Sequence, residues 1–236
     1  MGTRPLTPTS LIVDWGGVLT QRLDLAVRAW AAAEGIDFEH YRTAMRGWLA
    51  AAERLETAAN PLHALERGEL AVADFEARLV AEVRRLDGRP VVADGLIGRM
   101  FNTFEAVPAM HALVVRARQH GIRTALLSNS WGNTYPRDGW DEMFDVVVIS
   151  GEVGLRKPER EIFDLTCTRL GVAAAGCVLV DDLEVNVTAA ADLGMTAVLH
   201  RSYDETAARV QELFGLPPGP GLAAQEASSR SRPPQV

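Results

Sequence analysis

The sequence predicts an α/β protein built on a doubly wound parallel sheet, and three observations support this fold class. Five short apolar runs have the near-continuous character of strands buried on both faces. Helical segments alternate with these runs from residue 107 onward. A long helix-rich segment without a convincing strand follows the first run. We therefore expect a sheet domain that is interrupted by a helical domain.

The predicted strands are short, and four of the five end in chemically useful residues or lead into a loop that carries one. They are LIVD (11–14), TALLS (124–128), VVVIS (146–150), CVLVDD (177–182) and AVLH (197–200). Proteins with open parallel sheets bind ligands outside the carboxyl ends of their strands. The sequence therefore predicts a site at that edge of the sheet.

Proline and glycine mark the predicted helices between these strands. PAMHALVVRARQHG begins at Pro108 and ends at Gly121, and PEREIFDLTCTRLG begins at Pro158 and ends at Gly171. EVNVTAAADLG ends at Gly194. Proline suits the first turn of a helix and glycine suits the position after its end, so these are natural boundaries.

The segment after the first strand is predicted to be helical throughout. It is rich in Ala, Glu, Arg and Leu, and apolar residues recur at helical spacing, as in VADFEARLVAEVRRL (72–86). Within it, LERGEL (65–70) is interpreted as a turn whose charges are solvated. A helical domain inserted directly after an acid-bearing strand suggests a cap over a site.

These observations predict two folded units and two disordered ends. The carboxy-terminal segment is rich in Pro, Gly, Ala and Ser, a composition typical of disorder. The predicted boundaries are 9–22 and 107–215 for the α/β core, 23–106 for the helical cap, and 1–8 and 216–236 for disordered termini.

Composition narrows the class of protein. The chain has 236 residues, of which 47% are hydrophobic and 23% charged, as in ordinary globular proteins. A formal charge of -7 weighs against a nucleic-acid partner. No apolar run approaches the roughly 20 residues of a membrane span. Cys167 and Cys177 lie in apolar surroundings without metal-ligand spacing, which predicts buried thiols and a cytoplasmic location. A homodimer is left open.

The polar residues at the predicted strand ends form a chemically coherent set. An aspartate can act as a nucleophile, and several carboxylates together favour Mg²⁺. A hydroxyl, an amide and an ammonium group can hold phosphoryl oxygens. Phosphoryl transfer to Asp14 followed by hydrolysis accounts for every member of the set, which is Asp14, Ser128, Asn129, Lys157, Asp181 and Asp182.

The order of these motifs resembles the haloacid dehalogenase-like superfamily. The motifs are DWGGVLT from Asp14, then SN at Ser128, then KP at Lys157, then DDLEVN from Asp181. The position of the insertion is similar to that in members with a helical cap between the first two motifs, including small-molecule phosphatases and the phosphatase domain of some epoxide hydrolases. The resemblance implies a Rossmann-like core, Mg²⁺ as cofactor, and hydrolysis of a small phosphorylated metabolite through an aspartyl-phosphate.

The same resemblance implies roles for individual residues near the phosphoryl group. Asp14 is expected to be the nucleophile and a metal ligand, and Gly16 to offer its backbone carbonyl to the metal. Ser128 is expected to bind the phosphoryl group with Asn129 beside it. Lys157 is expected to contact both the nucleophile and the phosphoryl oxygens.

Four further residues complete the predicted site. By resemblance, Asp182 is the direct metal ligand, Asp181 is second or water-mediated, and Asn186 supports the two acids. Trp15 lies beside the nucleophile and is a candidate for substrate contact, although structural packing explains it equally well.

Gly16 departs from the family pattern and leaves two alternatives open. Most phosphatases of the superfamily carry an acid two residues after the nucleophile, where it serves as general acid and base. One alternative is a metal-independent 2-haloacid dehalogenase, against which the Asp181–Asp182 pair counts. The other is a non-catalytic binding protein, against which the intact Asp14, Ser128, Lys157 and Asp182 weigh.

Overall fold

A five-stranded parallel sheet forms the core of the computed structural model, which describes residues 7–53, 60–132 and 135–217. The strands are β1 (Ser10–Val13), β2 (Arg123–Ser128), β3 (Val146–Ile149), β4 (Cys177–Asp181) and β5 (Thr196–Leu199), in the spatial order β3-β2-β1-β4-β5. Every neighbouring pair is parallel. The predicted fold class is confirmed.

The strands end slightly earlier than predicted at the carboxyl edge of the sheet. Asp14, Asp182 and His200 lie just beyond their strands, and Ser150 begins a short helix instead of ending β3. The chain turns away from the sheet at these points. The apolar runs in the sequence therefore place the carboxyl ends of these strands one residue too late. The backbone N–H of Asp14 still donates to the carbonyl of Val180 at 3.0 Å, which holds the acid at the sheet edge.

Eleven labelled α-helices accompany the sheet in the described part of the chain. Those of the segment after β1 are α1 (Leu23–Glu34), α2 (Phe38–Glu53), α3 (Pro61–Glu66), α4 (Val72–Glu82) and α5 (Leu96–Phe101). The remaining helices are α6 (Pro108–Gln119), α7 (Trp140–Met143), α8 (Ser150–Val153), α9 (Arg160–Leu170), α10 (Glu184–Asp192) and α11 (Tyr203–Phe214).

Helices cover both faces of the sheet, as the apolar strands require. Leu11 and Val13 of β1 belong to a buried cluster with residues of α6 and α11. Ile12, between them in sequence, belongs to a second cluster with residues of α9 and α10. Successive side chains of a strand point to opposite faces of the sheet, and here both faces are buried under helices.

The cap helices α1 to α5 bury a cluster of their own, which includes Trp30, Phe75 and Met100. Helix α4 ends at Glu82, four residues before the helical pattern ends in the sequence. Val83 adopts an extended backbone and is buried, and Arg85 forms an isolated bridge with Ile36. Tertiary pairing therefore ends this helix.

Two other boundaries differ from the prediction. Helix α9 begins at Arg160 rather than at Pro158, because Lys157 and the residues after it form a turn at the sheet edge. Leu216 was expected in the disordered tail but is buried in the core cluster of α6 and α11. Predicted disorder at residues 1–6 and 218–236 lies outside the described residues.

The two cysteines are free and buried, as predicted, and their sulfur atoms lie 3.8 Å apart between α9 and β4. In the part of the chain that the structure describes, no helix combines the length and apolar character that crossing a membrane requires.

Candidate active site

Three carboxylates and one ammonium group meet at the carboxyl edge of the sheet. Asp14, Asp181 and Asp182 each offer an oxygen, and these oxygens all lie within 4.8 Å of one another. Lys157 Nζ lies 3.0 Å from Asp14 Oδ1 and 2.6 Å from Asp181 Oδ2. The structure thus brings the predicted nucleophile, lysine and acid pair together, because β1 and β4 are neighbours and end at the same edge.

Burial and mutual repulsion govern the charges of this group. The pKa of Asp14 is raised to about 7, mainly by burial and also by the nearby Asp181 and Asp182, while Lys157 acts to lower it. Burial likewise raises the pKa of Asp182 to about 6, helped by Asp181. For Lys157, burial alone lowers the pKa, but the carboxylates of Asp14 and Asp181 outweigh it and the pKa is raised. The lysine is therefore a fixed cation between two acids.

The two adjacent acids of the DD motif have different surroundings. Asp181 is fully buried, and its oxygens accept hydrogen bonds from Lys157 Nζ, the Leu183 N–H and Asn186 Nδ2. Asp182 is partly exposed, yet its Oδ1 is buried without a hydrogen-bond partner. Asp181 is thus engaged in holding Lys157 and Asn186, whereas Asp182 retains an unused acceptor.

Gly17, rather than Gly16, is the glycine that the loop geometry requires. Its φ of 74° is in the left-handed region, and a Cβ there would lie 2.2 Å from Asp182 Oδ2. Any larger residue would push the Asp182 carboxylate out of the acid cluster. The second glycine of DWGG therefore makes room for Asp182.

Gly16 has no such constraint on its backbone, and its missing side chain leaves an apolar neighbour in place. A Cβ at Gly16 would meet Leu23 Cδ2 at 3.0 Å, so the side chain of Leu23 must shift for any larger residue. Leu23 is the first residue of α1. The position that carries an acid in most related phosphatases thus faces a leucine side chain here.

Ser128 ends β2, is buried, and has a partner that the sequence did not reveal. Its Oγ lies 3.0 Å from Tyr135 Oη, and the Tyr135 hydroxyl also donates to the Asn129 carbonyl at 3.3 Å. Burial raises the pKa of Tyr135, so the phenol stays protonated at neutral pH. No spacing rule connects Tyr135 with Ser128, and only the return of the loop after β2 brings them together.

Asn129 lies beside the site, and its side-chain amide is hydrogen-bonded to the backbone of Lys157. Its Nδ2 donates to the Lys157 carbonyl at 3.0 Å, and its Oδ1 accepts from the Lys157 N–H at 2.8 Å. These two hydrogen bonds fix the backbone from which the lysine reaches the acids. The contact of Asn129 with substrate stays a prediction, as does the metal contact of the Gly16 carbonyl.

Trp15 follows the nucleophile and forms one wall of a cavity. Its backbone N–H donates to Asp14 Oδ1 at 2.7 Å, so the same turn carries the acid and the tryptophan. Its ring stacks on Phe104 with centroids 5.5 Å apart and meets the edge of Tyr135 at 5.0 Å. The cavity that these rings line has a volume of about 490 Å³.

The turn after α3 packs against the core, which contradicts the predicted solvation for Glu66 and Arg67, whereas Glu69 is exposed as predicted. Glu66 is 6% exposed, pairs with Arg156, and accepts a hydrogen bond from Trp131 Nε1 at 3.3 Å. Arg67 pairs with Glu159. The local sequence has a turn composition, and only the docking of the cap on the loop before Lys157 buries it.

This docking is close enough to involve backbone atoms. Ser150 Oγ donates to the Glu66 carbonyl at 2.6 Å, and a Cβ on Gly68 would lie 2.7 Å from the Gly151 carbonyl oxygen. Glu66 of the cap pairs with Arg156, which directly precedes Lys157. This ion pair therefore connects the cap to the loop that carries the lysine.

The sequence of this chain matches a known protein family. The family model for haloacid dehalogenase-like hydrolases matches residues 9–194. The chain belongs to this family. The matched segment contains all the sequence-predicted site residues, and membership shows that the chain is a hydrolase of the haloacid dehalogenase-like type.

One curated relative is the bifunctional riboflavin kinase/FMN phosphatase of Arabidopsis thaliana. It is 28% identical over 142 residues, which are 52% of this chain and 38% of that protein. Matches to two other curated relatives cover 16% and 11% of their lengths. The chain thus spans less than half of these relatives, and the activities of the whole proteins do not transfer directly.

Solved structures share the fold across most of the chain. A crystal structure of a dehalogenase superposes with a TM-score of 0.62 at 17% identity, covering 88% of this chain and 97% of that one. A haloacid dehalogenase family enzyme of Bacteroides thetaiotaomicron, in complex with magnesium and inorganic phosphate, gives 0.55 at 19% identity, covering 82% and 94%. At such identities the likeness shows the fold.

Proposed function

We propose that this chain is a Mg²⁺-dependent phosphatase that hydrolyses a small phosphorylated metabolite through an aspartyl-phosphate on Asp14. The relatives described above include an FMN phosphatase, and a structural neighbour holds magnesium and phosphate. These similarities support the proposal, and its main support is the arrangement of charges in the site.

The decisive observation is the excess of negative charge around Asp14. Three carboxylates face one ammonium group, Lys157, which leaves two formal negative charges when all are ionised. A phosphate ester is itself an anion, so this arrangement repels it unless a cation is present. A divalent cation neutralises the excess, which favours a metal-dependent phosphatase over a metal-independent dehalogenase.

The residues present fit a hard divalent cation. The buried Oδ1 of Asp182 has no partner, and the Asp14, Asp181 and Asp182 oxygens converge within 4.8 Å. Asp14 and Asp182 would hold the ion, while Asp181 keeps its bonds to Lys157 and Asn186. When bound, Mg²⁺ supplies charge neutralisation for the phosphoryl oxygens and orients them.

The proposed reaction has two steps on Asp14. Its carboxylate oxygen attacks phosphorus, and the bond from phosphorus to the ester oxygen breaks with its electron pair staying on that oxygen, which takes a proton from solvent to give the alcohol. Water then attacks the phosphorus of the aspartyl-phosphate and gives a proton to solvent, and the bond from phosphorus to the Asp14 oxygen breaks, which returns the carboxylate and releases inorganic phosphate. In this proposal Lys157, which contacts the Asp14 carboxylate, offsets charge beside the attacked phosphorus. The Ser128 hydroxyl, which contacts Tyr135, would hold a phosphoryl oxygen.

A metal-dependence assay tests the proposal directly. Purified protein is incubated with acetyl phosphate and a panel of small phosphate esters, with Mg²⁺ or with a chelator. We expect phosphate release that stops on chelation and returns with added Mg²⁺, because the uncompensated acids repel the substrate otherwise. Chloride release from 2-chloropropionate without metal would support the dehalogenase, and phosphate binding without any turnover would support a binding protein.

A pair of variants assigns the acids in the same assay. Asp182→Ala should raise the Mg²⁺ concentration for half-maximal rate more than Asp181→Ala does, because only Asp182 has a free buried oxygen. The reverse order would show that Asp181 holds the ion.

Gly16 leads to a prediction about leaving groups. General acid–base help is typically worth about 10²–10⁴-fold in rate, and Gly16 cannot supply it. Along a series of aryl phosphates of rising leaving-group pKa, we expect the rate of Asp14 phosphorylation in the first turnover to fall steeply. Gly16→Asp combined with Leu23→Ala should flatten this slope, since Leu23 occupies the space beside Gly16.

The matched control is Leu23→Ala alone, which opens the space without adding an acid and should leave the slope steep. A flat slope in the unaltered protein would contradict the prediction and show that another group already protonates the leaving oxygen.

A further inference from the structure

The aromatic cavity beside Trp15 indicates which kind of leaving group the substrate has. Among the described residues, four aromatic side chains line it, from Trp15, Phe101, Phe104 and Tyr135, and none of the lining residues is charged. Its volume of about 490 Å³ is in the range of small-molecule sites, roughly 300–1,000 Å³. It is open to an uncharged group of aromatic size.

Two residues that line the cavity also contact residues of the proposed phosphoryl site. Trp15 directly follows Asp14, and its backbone N–H donates to the Asp14 carboxylate. Tyr135 presents its ring to the cavity and its hydroxyl to Ser128 Oγ. A phosphoryl group at Asp14 and Ser128 therefore has its ester oxygen near the aromatic walls.

We propose that the substrates are aryl phosphates, whose phosphoryl group lies at Asp14 and whose aromatic ring occupies this cavity. The proposal rests on the phosphatase function proposed above. Aromatic rings favour offset-stacked or edge-to-face contact with one another, and a ring bound in the cavity would meet Trp15, Phe104 and Tyr135 in its walls.

The missing acid at Gly16 points independently to the same substrate class. A phenol has a pKa of about 10, far below the roughly 15.7 of water. The phosphorus–oxygen bond therefore breaks with the electron pair leaving as a phenolate, which takes its proton from solvent afterwards. Such a leaving group needs no protonation from the side chain that Gly16 lacks, so one substrate class accounts for both features.

A second, larger cavity of about 640 Å³ gives no comparable argument. It lies beside the amino end of β2, and none of the predicted site residues lines it. Two of its charged lining residues, Arg118 and Asp145, pair with each other at 3.0 Å. The chemistry is at the other edge of the sheet.

Gly98 in α5 allows the aromatic cavity to be filled without distorting the backbone. It lines the cavity, and a Cβ there meets no atom within 4 Å. Gly98→Leu should place its side chain in the open space. Gly47→Leu is the matched control, because Gly47 is an exposed helical glycine of α2 with equally free surroundings.

The test compares kcat/KM for 2-naphthyl phosphate with kcat/KM for acetyl phosphate, which has a good leaving group but no ring. We expect the ratio to fall at least tenfold in Gly98→Leu and to stay within twofold of the unaltered protein in Gly47→Leu. An unchanged ratio in Gly98→Leu, with acetyl phosphate hydrolysed, overturns the aryl assignment alone. Failure to hydrolyse either compound with Mg²⁺ present overturns the phosphatase function as well.

Discussion

Asp14→Asn should abolish phosphate release while leaving the fold intact. An amide cannot form the aspartyl-phosphate, and loss of a nucleophile costs on the order of 10⁴–10⁶-fold in kcat in covalent enzymes. The side chains are nearly isosteric, and the change removes one of the mutually repelling carboxylates around Lys157. The measurement is kcat with Mg²⁺ and acetyl phosphate, together with thermal unfolding to verify the fold.

The control for this prediction is Asp164→Asn, which makes the same chemical change at a side chain that is 54% exposed on α9. It should retain the activity of the unaltered protein. Near-normal turnover in Asp14→Asn would sink the covalent mechanism, because that mechanism forms the phosphoryl intermediate on the Asp14 carboxylate beside Lys157.

Lys157→Met should reduce both stability and activity. The Lys157 side chain is 1% exposed and its ammonium group contacts both Asp14 and Asp181, so its removal leaves two buried carboxylates without their cation. Breaking a buried ion pair in this way typically costs about 3–5 kcal/mol of unfolding free energy. Loss of one charge-stabilising group from a reaction site typically costs about 10²–10³-fold in kcat.

Denaturant unfolding without metal measures the first effect and steady-state kinetics the second. Arg160→Met serves as the control, since Arg160 is a 71% exposed cation three residues away whose pairing with Asp164 is worth little. An unfolding free energy equal to that of the unaltered protein would contradict the prediction, because it would mean that the acids do not depend on Lys157.

Several parts of the fold were predictable because they depend on local pattern. Apolar continuity located all five strands to within a residue at their carboxyl ends, and Pro108 marked the start of α6. Strand burial on both faces leaves a near-continuous apolar run in the sequence, and that signal survives without knowledge of neighbours. The same reasoning placed Asp14, Ser128 and the acid pair at one edge, because parallel strands end together.

The sequence by itself also distinguished a glycine where an acid is usual, but it could not say which glycine matters for geometry. Gly16 and Gly17 are adjacent glycines that the sequence does not distinguish. Only the close approach of Asp182 to Gly17 shows that Gly17 is sterically required. The family resemblance ranked Asp182 before Asp181 as a metal ligand, and the structure adds a physical difference between them. Asp181 has three hydrogen-bond partners, whereas Asp182 keeps an unused buried oxygen.

Tertiary structure alone decided the burial of Glu66, the contact of Tyr135 with Ser128 and the existence of the aromatic cavity. Each joins residues that are separated in the chain by loops, such as Glu66 with Arg156 and Trp15 with Phe104. Periodicity reports which face of an element is apolar, but not which loop packs against it. The sequence therefore determined the fold class and the candidate nucleophile, whereas the surroundings that choose a leaving group arise from contacts that no local pattern encodes.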